Sequence, residues 1–325
     1  MQQEIRFATF NVCNLAPPGV KLYDNLEPLT PAQYEAKLDW TARQLDQLDA
    51  DVVGFQEIFS QAVLDQVLAR TRAYRGARHA GFDSGGERLA PQVALVSRLP
   101  LAGAAVAYAG FPAGVAMPAG SRDADTFARA PLHAQVVLPD GRIADVLVVH
   151  LKSRRPDYRN GDGPTDPLLY AMANLRSLIR RGTEAVALRV LLTQLGRDSR
   201  RPRIVLGDFN DVADAVTTTI VLGAGASCEP GLELADRLFD SNRIQLRQDE
   251  LRHVGYTIIH EGRHMTIDHV LVSEEFNPAS RHAIGEVLDV TYLNDHLLQE
   301  RPEASDHGQV LVRIRLYGGD APREC

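Results

Sequence analysis

Ile204-Val205-Leu206-Gly207-Asp208-Phe209-Asn210 is an apolar run that ends abruptly in a carboxylate and an amide. The run is short, unbroken and bounded by Gly207, which reads as the core of a buried strand rather than part of a helix. A carboxylate at the end of such a strand is poorly solvated unless it meets a cation or a donor. The same design recurs along the chain. Glu57 follows Val52-Val53-Gly54-Phe55-Gln56, Asp268 follows Met265-Thr266-Ile267, and His150 closes the apolar stretch from Ala144 to Val149. Any one of these acids alone reads as an ordinary cap or turn residue. Their recurrence at strand ends is what points to a site.

The rest of the pattern supplies the layers. Strands are expected at Ile5 to Val12, Asp49 to Gln56, Pro91 to Ser97, Leu101 to Tyr108, Ala130 to Leu138 and Ile143 to Leu151. Further strands are expected at Arg203 to Leu206, Gly255 to His260, Met265 to Ser273, Glu286 to Val290 and Gly308 to Leu316. Helical spacing runs from Ala32 to Leu48, from Gln61 to Arg70 after Ser60, and from Leu168 to Leu195 with a possible break at Gly182. Strands occupy both halves and helices follow the early strand clusters. That order predicts an α/β fold, two sheets packed face to face with helices outside, as one domain over residues 1–325. Trp40 falls on the helical pattern and is expected in the core. The basic segment from Arg176 to Arg203 is expected to be a solvated helix face.

The chain of 325 residues is 45% hydrophobic and 24% charged, enough to build a large core. Its formal charge of -7 argues against a protein that coats long nucleic acid, though not against a local basic groove. Cys13, Cys228 and Cys325 form neither a disulfide framework nor a zinc spacing, and free thiols in a reducing compartment are expected. No signal-like leader and no apolar stretch of membrane-spanning length is found, so the expectation is a cytoplasmic protein with no membrane partner. Oligomeric state is not legible.

The residues at the strand ends fit one kind of chemistry. Glu57, Asp306 and the Asn11 amide are hard oxygen donors that suit Mg²⁺ or Mn²⁺. Asp208 and Asn210 lie two apart and share one side of an extended segment, where they could orient and deprotonate a water. Asp268 and His307 can form a carboxylate–imidazole pair. His150 and Lys152 could face one developing negative charge. Arg129, Lys152, Arg154 and Arg155 are the basic residues closest in sequence to these elements and could contact phosphates. His260, His264 and His269 match no zinc pattern.

Taken in order, Thr9-Phe10-Asn11-Val12, Gln56-Glu57, His150-Leu151-Lys152-Ser153, Gly207-Asp208-Phe209-Asn210, Ile267-Asp268-His269 and Ser305-Asp306-His307 resemble the endonuclease/exonuclease/phosphatase (DNase I-like) superfamily. The bacterial non-specific nuclease branch is the nearest likeness. The resemblance implies a four-layer α/β sandwich, two packed mixed β-sheets flanked by helices, with the site at one edge of the sheets. It implies that Asn11, Glu57 and Asp306 surround the metal, and that Asp208 and Asn210 position water and phosphate. By the same resemblance Asp268 pairs with His307, His150 donates to the scissile phosphate and Arg129 lies near the site. The implied activity is Mg²⁺- or Mn²⁺-dependent hydrolysis of nucleic-acid phosphodiesters, with DNA as the expected partner. A small-molecule or lipid head-group phosphate ester is the alternative.

Overall fold

The computed structural model describes residues 3–86, 88–159, 163–199, 201–223, 236–247, 255–299 and 301–318. Cys228 and Cys325 lie outside these, and Cys13 is a free thiol. In chain order the elements begin β1 (Gln3–Leu15), α1 (Pro31–Leu48), β2 (Val52–Ile58), α2 (Gln61–Arg70), β3 (Arg78–Gly81) and β4 (Gln92–Ser97). They continue with β5 (Val106–Ala107), β6 (Leu132–Val137), β7 (Ile143–His150), α3 (Pro167–Ser199), β8 (Arg203–Asp208), α4 (Val216–Leu222), β9 (Leu238–Asp240) and α5 (Ser241–Ile244). The last strands are β10 (Ile258–His260), β11 (Arg263–Met265), β12 (Asp268–Ser273), β13 (Gly285–Leu293) and β14 (Gln309–Leu316).

Two mixed six-stranded sheets result. One has the order β13-β14-β1-β2-β4-β3 and the other β5-β6-β7-β8-β12-β9, while β10 and β11 form a separate hairpin. β1 pairs parallel with β2, and β7 parallel with β8; the flanking pairs β1–β14 and β8–β12 are antiparallel. Strand alternation then sorts the side chains. Phe7, Val52, Val148, Leu206 and Val312 fill the space between the sheets. Phe10, Val53 and Phe55 point the other way and are covered by Leu38, Trp40 and Leu45 of α1 and by Leu64 and Val67 of α2. Leu147, Val205 and Leu271 are covered by Leu188, Leu191 and Leu192 of α3 and by Val221 of α4. The outcome is the helix–sheet–sheet–helix sandwich of the DNase I-like folds.

At two glycines the backbone must come close to its neighbours. A Cβ on Gly54 would lie 1.9 Å from Leu206 Cδ1, so this glycine lets the two sheets approach. Gly207, at φ +152°, would place a Cβ 2.0 Å from the Val149 carbonyl oxygen; only glycine fits where β8 turns toward Asp208.

Several boundaries differ from the sequence reading. The strand expected over Leu101 to Tyr108 shrinks to Val106–Ala107, with Leu101 making a lone bridge to Val136. α3 continues through Gly182 without a break. The Met265 to Ser273 run divides at Thr266-Ile267, so that Met265 closes the hairpin and Asp268 opens β12. α4 was not expected: Val216-Thr217-Thr218-Thr219-Ile220-Val221 is β-branched, a composition that helices disfavour. Packing against α3 and a left-handed Gly223 cap make it a helix. Apart from the exposed Arg197, the arginines of α3 are not a solvated face. Arg181 reaches Asp211 at 3.2 Å, Arg189 reaches Asp236 at 2.8 Å and the Val221 carbonyl at 3.0 Å, and Arg176 reaches the Asp157 carbonyl at 3.0 Å. Arg180 bonds Glu184 at 3.1 Å.

Candidate active site

The C-terminal ends of β1, β2, β7 and β8 meet the N-terminal ends of β12 and β14 at one edge of the sandwich. Chain direction alone therefore gathers Asn11, Glu57, His150, Asp208, Asp268 and His307 at that edge. The edge is also where the backbone leaves the common conformations: Cys13, Asn14, Glu57 and Asn210 all have positive φ, between 52° and 64°. Left-handed geometry in residues other than glycine costs energy and persists where the surroundings hold it, often at functional sites. At Glu57 it coincides with a register shift between Phe55 and Ile58, which re-aims the carboxylate out of the ladder.

The inner part of the site is fully buried. His307 Nδ1 lies 2.9 Å from Asp268 Oδ2, and its Nε2 faces Asn11 Nδ2 at 3.5 Å and Asp208 Oδ2 at 3.9 Å. Because a carboxylate only accepts, Nδ1 carries a proton. Asn11 Nδ2 donates to Asp208 Oδ2 at 3.1 Å, and the Asn210 backbone N–H donates to Asp208 Oδ1 at 2.7 Å. The loop carrying His307 is tied to β1 by Ser305, whose hydroxyl donates to the Asn11 carbonyl at 2.6 Å and accepts from the His307 N–H at 3.0 Å. Thr257 Oγ1 accepts from the backbone N–H groups of Ile267 at 3.0 Å and Asp268 at 3.3 Å.

His150 Nε2 sits 3.4 Å from Asp208 Oδ2 and 3.0 Å from Arg129 Nη2. A guanidinium only donates, so Nε2 accepts and the ring proton is on Nδ1, which is buried without a hydrogen-bond partner. Arg129 Nε and Asp268 Oδ1 are likewise buried and unpartnered. Unsatisfied polar atoms concentrated in one place are unusual in a folded interior and fit a site that waits for a ligand.

Electrostatics separate the titrating groups. Burial, then the charge of Asp268, pushes Asp208 above the ordinary carboxylate range. Burial opposes charge on His307, but Asp268, Asp208 and Asp306 together outweigh it and hold the imidazole well above its usual value. Burial, then Arg129 and His307, holds His150 well below it. One imidazole is thus kept charged and the other neutral in the same pocket, a division suited to acid–base work.

Of the three residues expected around a metal, Glu57 and Asp306 both act electrostatically on Cys13 and Lys37. Asn11 belongs to the buried network, with its Oδ1 accepting from the Cys13 N–H at 3.0 Å. Glu57 Oε2 accepts from the Asn14 N–H at 2.9 Å. Asp306 is exposed and shares a cavity of about 290 Å³ with Cys13, Ile259 and His296. Separately, donor atoms of Asp208, Asp268 and His307 lie within 4.8 Å of one another. The donor chemistry fits a hard divalent ion: carboxylates predominate, and Asp268 Oδ1 is buried with nothing donating to it. Both nitrogens of His307 already face acidic groups, which leaves the carboxylates of Asp208 and Asp268 as the oxygen donors of that group.

Asn210 does not project beside Asp208 from an extended strand. The strand stops at Asp208, the backbone turns, and Asn210 Nδ2 donates to the Leu151 carbonyl at 2.9 Å. Lys152 is held within its own loop, beside Arg129. Its ammonium donates to the carbonyls of Ser153 and Arg155, both at 3.2 Å, and approaches Ser177 Oγ at 3.4 Å. It ties down the loop after β7. Arg154 and Arg155 are exposed on that loop, and Arg154 Nη1 reaches Met265 Sδ of the hairpin at 3.5 Å.

Two further residues were not read from the sequence. Lys37 is buried on α1, where burial lowers its pKa while Cys13, Asp306 and Glu57 favour its charge. The signal was there: a lysine between Tyr34 and Leu38 on the apolar stripe of an amphipathic helix. Tyr23 stands half-exposed with its ring edge-on to Phe59 at 6.0 Å. Burial, then Glu57, raises its phenol pKa, with Arg129 and Arg155 opposing. Those neighbours place it at the mouth of the site. It falls in a Pro- and Gly-rich loop that offers no periodicity to read.

A protein-family model described as the endonuclease/exonuclease/phosphatase family matches residues 8–307. Comparison with curated proteins gives no match. Among solved structures, the human nocturnin catalytic domain with bound sulfate aligns at TM-score 0.59 and 15% identity, over 97% of this chain and 98% of that one. An endonuclease/exonuclease/phosphatase from Bacteroides vulgatus aligns at TM-score 0.59 and 17% identity, over 97% and 100%. A mannosyl-6-phosphatase of Bacteroides thetaiotaomicron aligns at TM-score 0.57 and 16% identity, over 95% and 99%. At such identities the likeness concerns the fold. No helix among the described residues is long and apolar enough to cross a membrane.

Proposed function

For this chain, which belongs to the endonuclease/exonuclease/phosphatase family, we propose divalent-metal-dependent hydrolysis of nucleic-acid phosphodiester bonds, with DNA as the substrate and Mg²⁺ or Mn²⁺ as the ion. Family membership supports phosphate-ester hydrolysis in general. The observation that carries the finer reading is the buried Asp268–His307 pair at 2.9 Å set against Asp208 and Asn11, with arginines at its rim.

In this reading Asp208 accepts the proton of the attacking water, as its raised pKa suits. Asn11 and the Asn210 backbone hold that carboxylate in one orientation. His307, anchored through Nδ1 on Asp268, turns its Nε2 proton toward a phosphoryl oxygen and stabilises the charge that accumulates there. On substrate binding Arg129 leaves His150 Nε2 for the phosphate, and the neutral ring, its proton moved from Nδ1 to Nε2, donates beside it. Glu57 and Asp306, with Asp208, would hold the ion. When bound, it supplies Lewis-acid polarisation of the phosphoryl group. Arg154 and Arg155 contact flanking phosphates, and Tyr23 faces the substrate at the mouth.

A second reading keeps the chemistry and changes the substrate to a small-molecule or lipid head-group phosphate ester. The internal use of the Lys152 ammonium favours it, since that leaves the basic rim to three arginines. Incubation with Mn²⁺ and a panel of plasmid, linear duplex, single-stranded DNA, RNA and a chromogenic diester separates the two. Cleavage of DNA that EDTA abolishes supports the first. Turnover of the small diester alone moves the substrate to the second.

A further inference from the structure

The outer surface of α3 is apolar where a helix on the outside of a sandwich is ordinarily polar. Leu168, Met172, Leu175 and Ile179 are 69%, 42%, 45% and 37% exposed, and Val186 is 39% exposed. With Gly182 they follow alternating steps of four and three residues, the spacing of a helix–helix seam. Charged residues that could have solvated this face point inward: Arg176, Arg180, Arg181 and Arg189 all bond to the body of the protein. Leu178, 48% exposed, flanks the patch. Together the exposed side chains offer on the order of 500 Å² per copy, at the upper end of the largest patch a monomer leaves uncovered, which is often functional. Two copies would bury about 1,000 Å², the area a biological interface has to reach.

We infer that this face of α3 pairs with the same face of a second copy of the chain, as an antiparallel helix pair about a two-fold axis near Ile179. Four features favour self-pairing over other occupants. A two-fold at Ile179 sets Leu168 opposite Val190, Met172 opposite Val186 and Leu175 opposite Thr183, so large side chains at one end meet small ones at the other. Gly182 lies next to the axis. It is a poor helix former, and a Cβ there would meet nothing within 4 Å in its own chain, so no packing within the protomer explains it. Close approach of a second helix does. A net charge of -7 and the inward arginines make an anionic bilayer a poor match. Finally, the patch area reaches what a dimer needs. The loop after β7 is itself anchored on α3, through the Asp157 N–H to the Ala173 carbonyl at 3.0 Å and Ser177 Oγ to the Ser153 carbonyl at 2.7 Å. The pairing therefore sets two rims in one assembly.

Sedimentation velocity over a concentration series tests this on the full chain. A species of twice the 35.7 kDa chain mass is expected. Ile179→Glu should move it to monomer, a shift of at least a hundredfold in the dissociation constant, with circular dichroism and Tm unchanged because the position is exposed. Gly182→Leu should weaken the dimer at least tenfold while leaving the monomer folded. A wild-type chain that is monomeric at all concentrations, or a dimer indifferent to both substitutions, overturns the inference. So does a monomer that sediments with phosphatidylcholine–phosphatidylglycerol vesicles. None of these outcomes depends on the phosphodiesterase reading.

Discussion

Replacing Gly54 by alanine should injure stability and activity together. Gly54 lies on β2, three residues before Glu57, and faces Leu206 on β8, two residues before Asp208. An added Cβ would stand 1.9 Å from Leu206 Cδ1 and 3.0 Å from both Val148 methyls. That is roughly 1.5–2 Å short of a normal carbon–carbon contact. Leu206 and Val148 have no exposed surface, so neither can swing aside without displacing other core residues. The sheets must part, at a cost of about 2 kcal/mol for overpacking of this kind. In a chain of this length that is roughly 3 °C in Tm. The same displacement separates the strands that carry Glu57 and Asp208. A misplacement of about 1 Å can cost about a hundredfold in rate. Calorimetric Tm and kcat/KM on a chromogenic diester measure both effects. Adding Leu206→Ala should create the missing room and recover part of each, a coupling that a double-mutant cycle reads directly. Wild-type Tm and wild-type rate in Gly54→Ala would refute the idea that this glycine sets the spacing of the two carboxylate-bearing strands.

Other consequences follow from the same geometry. In the metal-free protein His307 should remain protonated beyond the ordinary histidine range and His150 should remain neutral, which an NMR titration of the ring resonances checks. The His307 pairing should contribute stability that is complete below the unfolded value of about 6.5 and fades as pH rises through the raised folded value. The Tm difference between wild type and His307→Gln should therefore narrow at high pH. Lys152→Met should lower thermal stability of the loop, seen as faster proteolysis there, with the salt dependence of DNA binding unchanged. Arg155→Ala should reduce the salt slope of DNA binding by about one unit or less with Tm unchanged.

The sandwich was legible because buried strands announce themselves as apolar runs, and because acids at their ends have few bland explanations in combination. Asn11, His150, Asp208, Asp268 and His307, which lie far apart in sequence, stand within hydrogen-bonding reach because parallel and antiparallel pairing brings their strand ends to one edge. What was not legible depended on partners distant in sequence. The α3 arginines read as solvated because Asp211 and Asp236 and the receiving carbonyls lie on other elements. Lys152 was expected to share a face with His150 because strand alternation was extended past His150, where the strand ends. Asn210 was placed by the same extrapolation past Asp208. α4 was hidden by its β-branched composition, which tertiary packing overrides.

The most direct test of the account is the turnover of a chromogenic phosphodiester by wild type and Asp208→Asn at saturating Mn²⁺, with Mn²⁺ binding measured on both proteins. The account predicts turnover in wild type that EDTA abolishes. It predicts a fall of about 10²–10⁴-fold in Asp208→Asn, the range for loss of a general base, in a protein that remains folded. Equal rates in the two proteins would contradict the account.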